Sequence, residues 1–523
     1  MTGVGRSLLE VEGAPTAKSE DALAARLRAI APLLLDAPLP DADRDPASDA
    51  ANTLDLLVEF VAAKPSSSRI WLLLTSLCAA YPTRTEIDRI RRLFELLDHR
   101  NAVISLLDIS LSVASARGGP ETDIHIIEGG VIVDVDHSAK FDLNTGIQRV
   151  TRCLLPRWND QHEIVPAAWT ANAGALRSLT PMELERVVSW SSRKPATRAD
   201  DHNSSRTAPR LLVPWRSVVV MAEVPPGNVS DSLAAIGDYS GSRLVGIAYD
   251  SIPVVSADMV PAADTSKFVR YLTCLKFASR MAGISSSAAS EIAGFVQALS
   301  TQGLPGPVVV EVPLASPAAD FSNVRTPDTN VPNVLVVGSH EPRKNHLAIL
   351  HGAEILWREG AKFSLSFIGG SGWGDEFPRR AAELVRADRP ITVRRAVSES
   401  ELEASYATAS FTVFPSLHEG YGLPVAESLA HGVPVITSDF GSTAEIGAHG
   451  GALLVNPHDD DALTSAMRTL LSDGQTQRRL RQEIRSRPER TWQNYSDELW
   501  ELLIEPELEM LKGDIDGVNK VDR

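Results

Sequence analysis

The sequence has few cysteines, no long apolar run and no excess of positive charge. Its three cysteines, Cys78, Cys153 and Cys274, lie far apart and lack the spacing of metal ligands, which favours reduced core thiols in a cytosolic protein. No apolar run reaches the length of a membrane span, and the amino terminus lacks the charged-then-apolar pattern of a signal peptide. The net charge of −16 argues against an extended nucleic-acid surface or strong attachment to anionic lipids.

The remaining composition is that of a soluble globular protein. A chain of 523 residues suffices for two or three domains, and 43% hydrophobic and 23% charged residues are ordinary proportions. We therefore expect a cytoplasmic protein with no nucleic-acid partner and at most peripheral contact with a membrane.

The range 1–120 has helical periodicity and carries no chemical motif. Apolar residues recur with helical spacing in four segments, Ala22–Leu35, Leu54–Ala63, Ile70–Ala80 and Glu86–Leu97. We predict a helical extension here. It is a packing brace, a dimerisation surface or a module that docks an acceptor or a partner, and the sequence does not rank these three.

After this extension, strand-like and helix-like segments alternate, which predicts an α/β fold. Val131–Asp136 has the pattern of a strand, the polar segment 137–145 that of a loop, and a helix begins at Gly146. A second strand-and-helix series follows a segment rich in Pro, Ser, Ala and Asp at 313–332, which has the composition of a linker. The segment 194–210 is rich in Ser, Asp and Arg and predicts a flexible surface loop.

The most informative stretch covers residues 414–439 and predicts a strand, a glycine loop, a short helix and a second strand. Gly420 and Gly422 permit positive φ and leave backbone N–H groups open to a ligand. Glu419 falls in the loop and Glu427 in the early helix, so both can face the space above the strand ends, where open α/β sheets bind ligands. Because carboxylates repel phosphate, sugar and ribose hydroxyls are their natural partners.

This stretch resembles the E-x7-E signature of retaining glycosyltransferases of the large GT4 family. The likeness includes both glutamates, the Glu-Gly-Tyr-Gly-Leu-Pro loop and the following Ala-x-Gly-x-Pro-Val. The plainer interpretation is an α/β turn with two solvated glutamates and no ligand. The resemblance implies the GT-B fold, in which two Rossmann-like domains face a cleft.

The resemblance divides the chain as follows. We expect a helical extension at 1–120, an acceptor-side Rossmann-like domain at 121–315, a donor-side domain at 316–489, a helix at 490–510 that crosses back to the first domain, and a loose tail at 511–523.

A second segment, Glu-Pro-Arg-Lys-Asn at 341–345, resembles the donor-phosphate loop of the same family. In that family the lysine, here Lys344, binds the diphosphate, whereas the plainer interpretation makes it a surface lysine at a helix start. Family members usually have an arginine directly after the strand glycine, and this chain has Ser339 there. Either Arg343 supplies that charge, or the chain binds diphosphate more weakly.

The first α/β domain offers weaker signals. By position, Gly146 matches the family glycine close to the donor diphosphate, although a plain turn glycine explains it equally well. Tyr249 and Asp250 match a segment in which many members have a histidine facing the reacting sugar, so a histidine role is in doubt here. Asp250 is the candidate for acceptor contact or local orientation, with a turn cap as the alternative. Asp134 and Asp136 form a D-x-D, for which we favour loop-positioning hydrogen bonds over metal binding.

These parallels imply front-face transfer with retention, in which Lys344 and Arg343 stabilise the leaving diphosphate. Glu419 holds donor-sugar hydroxyls, Glu427 holds the ribose, and backbone N–H groups at 420–422 orient sugar and phosphate. The predicted catalytic residues are Glu419, Lys344 and Asp250. The predicted donor-binding residues are Gly146, Ser339, Arg343, Lys344, Gly420, Tyr421, Gly422, Leu423 and Glu427. No metal and no cofactor is required by this scheme.

The resemblance extends to bacterial mannosyl- and rhamnosyltransferases of surface-polysaccharide assembly. The expected donor is GDP-mannose, with UDP- or dTDP-sugars as alternatives, and the acceptor is a glycan, a lipid-linked group or a protein. Two other functions stay open, a catalytically silent GT-B subunit that binds glycan or protein for a partner enzyme, and a GT-B-fold epimerase of sugar nucleotides. The oligomeric state, including a homo-oligomer, is undecided.

Overall fold

The computed structural model describes residues 19–35, 37–190, 209–319 and 331–521. It confirms the expected α/β class, with two parallel-sheet domains preceded by helices. Most of the predicted surface loop at 194–210, the centre of the predicted linker at 313–332, the first 18 residues and the last two lie outside the described residues. None of the helices in the described part combines the length and apolar character needed to cross a membrane.

The amino-terminal region is helical, as predicted. Its helices are α1 (Ser19–Leu34), α2 (Pro46–Ala63), α3 (Ser67–Cys78), α4 (Arg84–Leu96) and α5 (His99–Arg117). Side chains at the residue before a helix accept a backbone N–H in four cases, which replaces a missing intrahelical bond: Asp45, Ser66, Thr83 and Asp98. Helix α3 is buried on every side from Ile70 to Cys78, so it is the core of this region.

This region does not form a separate body, because it shares a hydrophobic core with the first sheet. Buried residues of α1 to α5 and of the strands at 124–128 and 211–215 belong to one continuous cluster. The hydroxyl of Tyr81 donates to the carbonyl of Leu212 at 2.6 Å, and Arg26 donates to the carbonyls of Pro120 and Thr122 at 2.8 and 2.9 Å. These contacts are those of a packing brace, one of the three predicted roles.

The first sheet has nine strands within the described residues, in the order β1-β5-β4-β3-β2-β6-β7-β8-β9, and is parallel except where β4 pairs. The strands are β1 (Ile124–Glu128), β2 (Val131–Asp134), β3 (Ile164–Trp169), β4 (Leu176–Ser178), β5 (Leu211–Trp215), β6 (Val218–Met221), β7 (Arg243–Ala248), β8 (Arg280–Gly283) and β9 (Val308–Glu311). The helices are α6 (Asp136–Lys140), α7 (Gly146–Gln161), α8 (Pro181–Val188), α9 (Ser230–Tyr239), α10 (Ile252–Val255), α11 (Ala262–Leu275) and α12 (Ser286–Ser300). The predicted strand at 131–136 ends two residues early, and the predicted loop at 137–145 contains α6.

The second sheet is entirely parallel, with six described strands in the order β12-β11-β10-β13-β14-β15. The strands are β10 (Asn333–Val337), β11 (Ser364–Ile368), β12 (Ile391–Arg394), β13 (Phe411–Phe414), β14 (Val435–Ser438) and β15 (Ala452–Val455). The helices are α13 (His346–Arg358), α14 (Glu376–Arg386), α15 (Glu399–Thr408), α16 (Leu423–Ala430), α17 (Gly441–Gly447), α18 (Asp460–Ser472) and α19 (Gly474–Arg485). Counted within this domain, the order is 3-2-1-4-5-6, so the topological switch point lies between β10 and β13.

The last helices return to the first domain. They are α20 (Trp492–Leu499), a π-helical turn at Trp500–Ile504 and α21 (Glu505–Val521). The indole of Trp158 donates to the carbonyl of Ser496 at 3.2 Å, and Arg280 pairs with Glu507 at 3.0 Å. In the predicted loose tail at 511–523 the backbone is helical as far as Val521, and Leu511 at its start is buried.

Candidate active site

The candidate site lies at the switch point of the second sheet, where the loops after β10 and β13 diverge. The loop after β10 ends in a single 3-10 turn at Pro342–Lys344, and α13 begins only at His346. The loop after β13 carries Glu419 and leads into α16. This sheet topology therefore brings Lys344 and Glu419 together although 75 residues separate them.

Lys344 and Arg343 both pair with Glu419. The ammonium of Lys344 donates to Glu419 Oε1 and lies 4.7 Å from the centre of the Phe414 ring. Arg343 reaches the same oxygen at 2.9 Å and also pairs with Glu341 at 2.7 Å. Lys344 is only 7% exposed, which contradicts its alternative interpretation as a surface lysine. The structure brings together the two cations and the first signature glutamate.

The charges in this cluster control its ionisation. Burial alone would raise the pKa of Glu419, but the neighbouring Lys344 and Arg343 outweigh burial and lower the pKa to about 2. Burial lowers the pKa of Lys344, and the Glu419 carboxylate partly offsets that effect. Glu419 is therefore a carboxylate at any physiological pH.

Ser339 brings no positive charge to the site. Its hydroxyl donates to Glu341, the same carboxylate that pairs with Arg343. Arg343 also donates to the carbonyl of His418 at 3.1 Å, so its guanidinium spans both loops of the switch point. The arginine expected after the strand glycine is thus absent, and a second cation reaches the cluster from Arg343 instead.

The second signature glutamate, Glu427, lies in α16 as predicted. Its carboxylate accepts a hydrogen bond from the Tyr406 hydroxyl at 2.8 Å and forms an ion pair with Arg149 of α7. Burial lowers the pKa of Arg149, but the charge of Glu427 outweighs burial, so the net shift is upward. The sequence analysis did not predict Arg149 as a residue of this site. Its position one helical turn after Gly146, a predicted site residue, could have indicated it.

The glycines at the site have different structural reasons. Gly422 has φ of +106°, which confirms the predicted positive φ. Gly420 does not have the predicted positive φ. Glycine fits there for a steric reason, since a Cβ would lie 2.0 Å from the carbonyl oxygen of Tyr249. Gly146 begins α7, and a Cβ there would lie 3.4 Å from Cδ1 of Leu423, the first residue of α16. All three lie where the two domains approach each other or at the start of α16.

Tyr421 faces the interdomain segment. Its hydroxyl lies 3.3 Å from the carbonyl oxygen of Leu314 and 3.2 Å from that of Ala315, and its ring is buried. This side chain is therefore committed to protein contacts, and its predicted part in donor binding rests on its backbone N–H.

Asp250 is partly buried in the first domain, and its carboxylate accepts the backbone N–H of Ile252 at 3.1 Å. This bond is the turn contact considered as the alternative role. Burial raises the pKa of Asp250, and the charge of Arg343 opposes that rise. The hydroxyl of Tyr249 donates to the carbonyl of Ala222 at 2.6 Å, so it is held by the core.

The D-x-D pair makes the hydrogen bonds that the sequence favoured. Trp169 donates its indole N–H to Asp134 at 2.9 Å and its backbone N–H to Asp136 at 2.7 Å. Asp136 also pairs with Lys140 at 2.6 Å. Burial raises the pKa of Asp134 to about 8. Among the described residues no group of three or more His, Cys, Asp and Glu side chains is arranged to hold a metal ion.

His418 was also missed, although it directly precedes Glu419. Its ring bonds to Ser256 and Glu291 of the first domain. A cavity of about 340 Å³ beside it lies between the domains and is lined by residues of both, among them Val255, Glu291, Glu419 and Phe440. Ser256 and Glu291 carry no motif, so only the fold could reveal this cluster.

Comparison with known proteins identifies the second domain. Residues 319–487 match the profile of the family described as glycosyl transferases group 1. The serotype-specific mannosyltransferase WbdA of Escherichia coli is 25% identical over 334 residues, which are 60% of this chain and 38% of that protein. The O-antigen chain mannosyltransferase B of Escherichia coli is 33% identical over 140 residues, 27% of this chain and 36% of that protein.

The alignments with the WbdA proteins cover 38% to 42% of those relatives' own length. Among solved structures, sucrose-phosphate synthase of Thermosynechococcus elongatus superposes over 75% of this chain and 99% of its own, with a TM-score of 0.46 and 16% identity.

Proposed function

We propose that this chain is a retaining glycosyltransferase that uses a nucleotide-diphosphate sugar, and the match of residues 319–487 to the profile of glycosyl transferases group 1 supports this. We further propose GDP-mannose as the donor and a glycan hydroxyl as the acceptor. The relatives WbdA and the O-antigen chain mannosyltransferase B, which are named mannosyltransferases, support the choice of mannose.

The observation that carries the proposal is the cluster of Lys344, Arg343 and Glu419 at the switch point. Parallel α/β sheets bind ligands at this place, and two adjacent cations suit a diphosphate. Burial strengthens their electrostatic effect, because the medium around them screens charge less than water does.

The proposed reaction is a front-face transfer. The acceptor oxygen forms a bond to the anomeric carbon while the bond to the diphosphate oxygen breaks, and the acceptor proton passes to that departing oxygen. Lys344 and Arg343 stabilise the negative charge that develops on the diphosphate. Glu419 orients the donor sugar, Glu427 receives the ribose hydroxyls, and N–H groups at 420–422 complete the contact. This scheme needs no metal, since the two cations supply the charge.

The first test measures the melting temperature of the purified chain against a panel of nucleotides and nucleotide sugars. A ligand that binds only the folded state stabilises it by about 2.7 kcal/mol at a hundred times its Kd. We expect a shift with GDP and GDP-mannose that disappears in Lys344→Ala. The exposed Lys362 of the same domain provides the control, since Lys362→Ala should keep the full shift.

The second test separates the transferase from the two other functions. We expect GDP release from GDP-mannose to require an added glycan acceptor and to yield an α-linked product. Conversion of the donor without acceptor would indicate an epimerase. Binding of glycan or protein without any donor turnover would indicate the silent subunit, for which the lack of a cation at Ser339 is the supporting observation.

A further inference from the structure

We infer that His418 is a positioning residue for the transfer, and that the chain of hydrogen bonds Ser256–His418–Glu291 holds the acceptor-side domain in register with Glu419. This inference rests on the proposed function and assigns a role to three residues outside its donor site. The proposed role is to fix the position of one domain relative to the other during the reaction. The donor motifs, which lie in the second domain, do not specify that position.

The geometry is that of a bridge between domains. His418 belongs to the loop after β13, whereas Ser256 follows α10 and Glu291 lies in α12. The Nδ1 atom of His418 is 2.7 Å from Ser256 Oγ, and its Nε2 atom is 2.6 Å from Glu291 Oε1. The other carboxylate oxygen of Glu291 accepts the backbone N–H of Ser251 at 2.6 Å. Both ring nitrogens are therefore held by the first domain.

The backbone on either side of the His418–Glu419 peptide is fixed as well. The carbonyl of His418 accepts from Arg343 at 3.1 Å, and the carbonyl of Glu419 accepts from the Ser442 hydroxyl at 2.8 Å. With its ring held from one domain and its backbone from the other, His418 transmits any shift of Ser256 or Glu291 to the neighbouring carboxylate. A displacement of about 1 Å at a reacting group can cost about a hundredfold in rate.

The bridge borders the interdomain cavity instead of lying within a core. His418 and Glu291 have side chains that are 14% and 16% exposed, and both line the cavity together with Glu419. Two other contacts across the same boundary lack an imidazole. Ser285 donates to the carbonyl of Gly420 at 2.7 Å, and Glu445 accepts backbone N–H groups at the start of α12. Of these contacts, the His418 bridge is the one that contains an imidazole, whose charge changes near neutral pH.

The groups around the ring favour its charged form. Glu291 faces it from α12, Asp250 and Ser256 from the segment after β7, and Glu419 from its own loop. Burial lowers the pKa of His418, but these carboxylates, Glu291 foremost, outweigh burial and the net shift is upward. Because the bridge raises the pKa of His418, the ion pair between His418 and Glu291 is fully formed at pH values below the usual pKa of a free histidine. It is lost as pH rises through the raised value.

The experiment compares two amide replacements. Gln places its amide nitrogen near the position of Nε2 and so keeps a donor to Glu291, whereas Asn places it near Nδ1 and keeps only the contact with Ser256. For transfer to a glycan acceptor we expect kcat to fall about tenfold in His418→Gln and about a hundredfold in His418→Asn, with the donor KM changed less than about threefold. The alkaline loss of kcat in the unmodified protein should be absent from both variants.

Two further variants complete the test. Glu291→Gln should remove most of the alkaline titration while keeping the Ser251 hydrogen bond, and the exposed His351 of α13 serves as the control in His351→Gln. Amide hydrogen exchange at 249–256 and 286–291 gives a reading that needs no activity. We expect faster exchange in His418→Asn than in the unmodified protein, and no change in the control.

The outcomes are distinct. Unchanged kcat, pH profile and exchange in both His418 variants would overturn the inference. A rise in donor KM with unchanged kcat would overturn it too, since His418 would then be a binding residue. If the unmodified protein transfers no sugar from any donor, the proposed function fails and positioning for transfer fails with it. Faster exchange in His418→Asn would in that case still establish the bridge as a structural contact.

Discussion

The two sheet domains differ in how they carry their chemistry. The second domain concentrates it in two loops at one switch point, and its charged residues lie close to glycines and prolines that mark those loops. The first domain contributes Arg149, Ser256 and Glu291 from three separate elements, none of which forms a motif. The residues of the candidate donor site are thus marked by local sequence motifs, whereas the contacts that join the domains exist only in the folded chain.

The largest expected effect tests the second domain. Lys344→Ala should lower kcat for sugar transfer by about a hundred- to a thousandfold, because a preorganised charge on the leaving group would be lost. Initial rates at saturating donor measure the effect, with Lys362→Ala as the matched control. An equal fall in kcat in both variants would contradict a specific role of Lys344 in stabilising the leaving group.

The next prediction sharpens the division between the domains at Glu427. Replacing this carboxylate in Glu427→Gln should raise the donor KM about tenfold or more, since a charge-assisted hydrogen bond contributes about 1.5–3 kcal/mol. Arg149→Ala should change the donor KM less than about threefold, because in the proposed scheme the ribose hydroxyls replace Arg149 at the carboxylate. Initial rates at varied donor concentration measure both. A larger loss in Arg149→Ala would make the first domain a donor-binding domain too.

A steric prediction concerns the place where the domains approach most closely. A Cβ at Gly420 would meet the Tyr249 carbonyl at 2.0 Å, so Gly420→Ala should destabilise the chain by about 1–3 kcal/mol and reduce transfer. Gly370 has nothing within 4 Å of an added Cβ, and Gly370→Ala is the control. Thermal inactivation half-lives compare them. Equal half-lives would show that the domains can separate at this point without cost.

The smallest effect is expected at the helical extension. Tyr81→Phe removes the buried bond to the Leu212 carbonyl, and the loss of this one hydrogen bond should cost about 0.5–1.5 kcal/mol of stability with kcat unchanged. Ser115→Ala, which removes an exposed hydroxyl on α5, is the control. Urea unfolding followed by fluorescence measures the difference. A fall in kcat in Tyr81→Phe would assign the extension a catalytic contribution.

The sequence predicted the second domain well, because its elements depend on local signals. The strand before Glu419, the helix containing Glu427 and the positive φ of Gly422 all follow from residues within a few positions of one another. Gly420 was misjudged, since the reason for its small size is a carbonyl about 170 residues earlier in the chain.

Long-range contacts explain the other errors. Arg149, Glu291 and Ser256 have ordinary sequence surroundings, and only the packing of two domains places them at the signature loop. The tail at 511–523 was predicted as loose because chain termini are commonly poorly ordered, whereas its backbone is helical as far as Val521.

Helix α3, which is buried from Ile70 to Cys78, also bears on the order in which the chain can fold. Tyr81, just after that helix, bonds to a residue 131 positions further along, so its partner strand does not yet exist when α3 leaves the ribosome. At a synthesis rate of about 5–20 residues per second, the wait is on the order of ten seconds. Throughout that interval the hydroxyl of Tyr81 lacks its partner carbonyl, whereas the helices that pack against α3, chiefly α1, α4 and α5, are made before β5. The helical extension can therefore fold before the sheet, and its attachment to β5 should be a late step of folding.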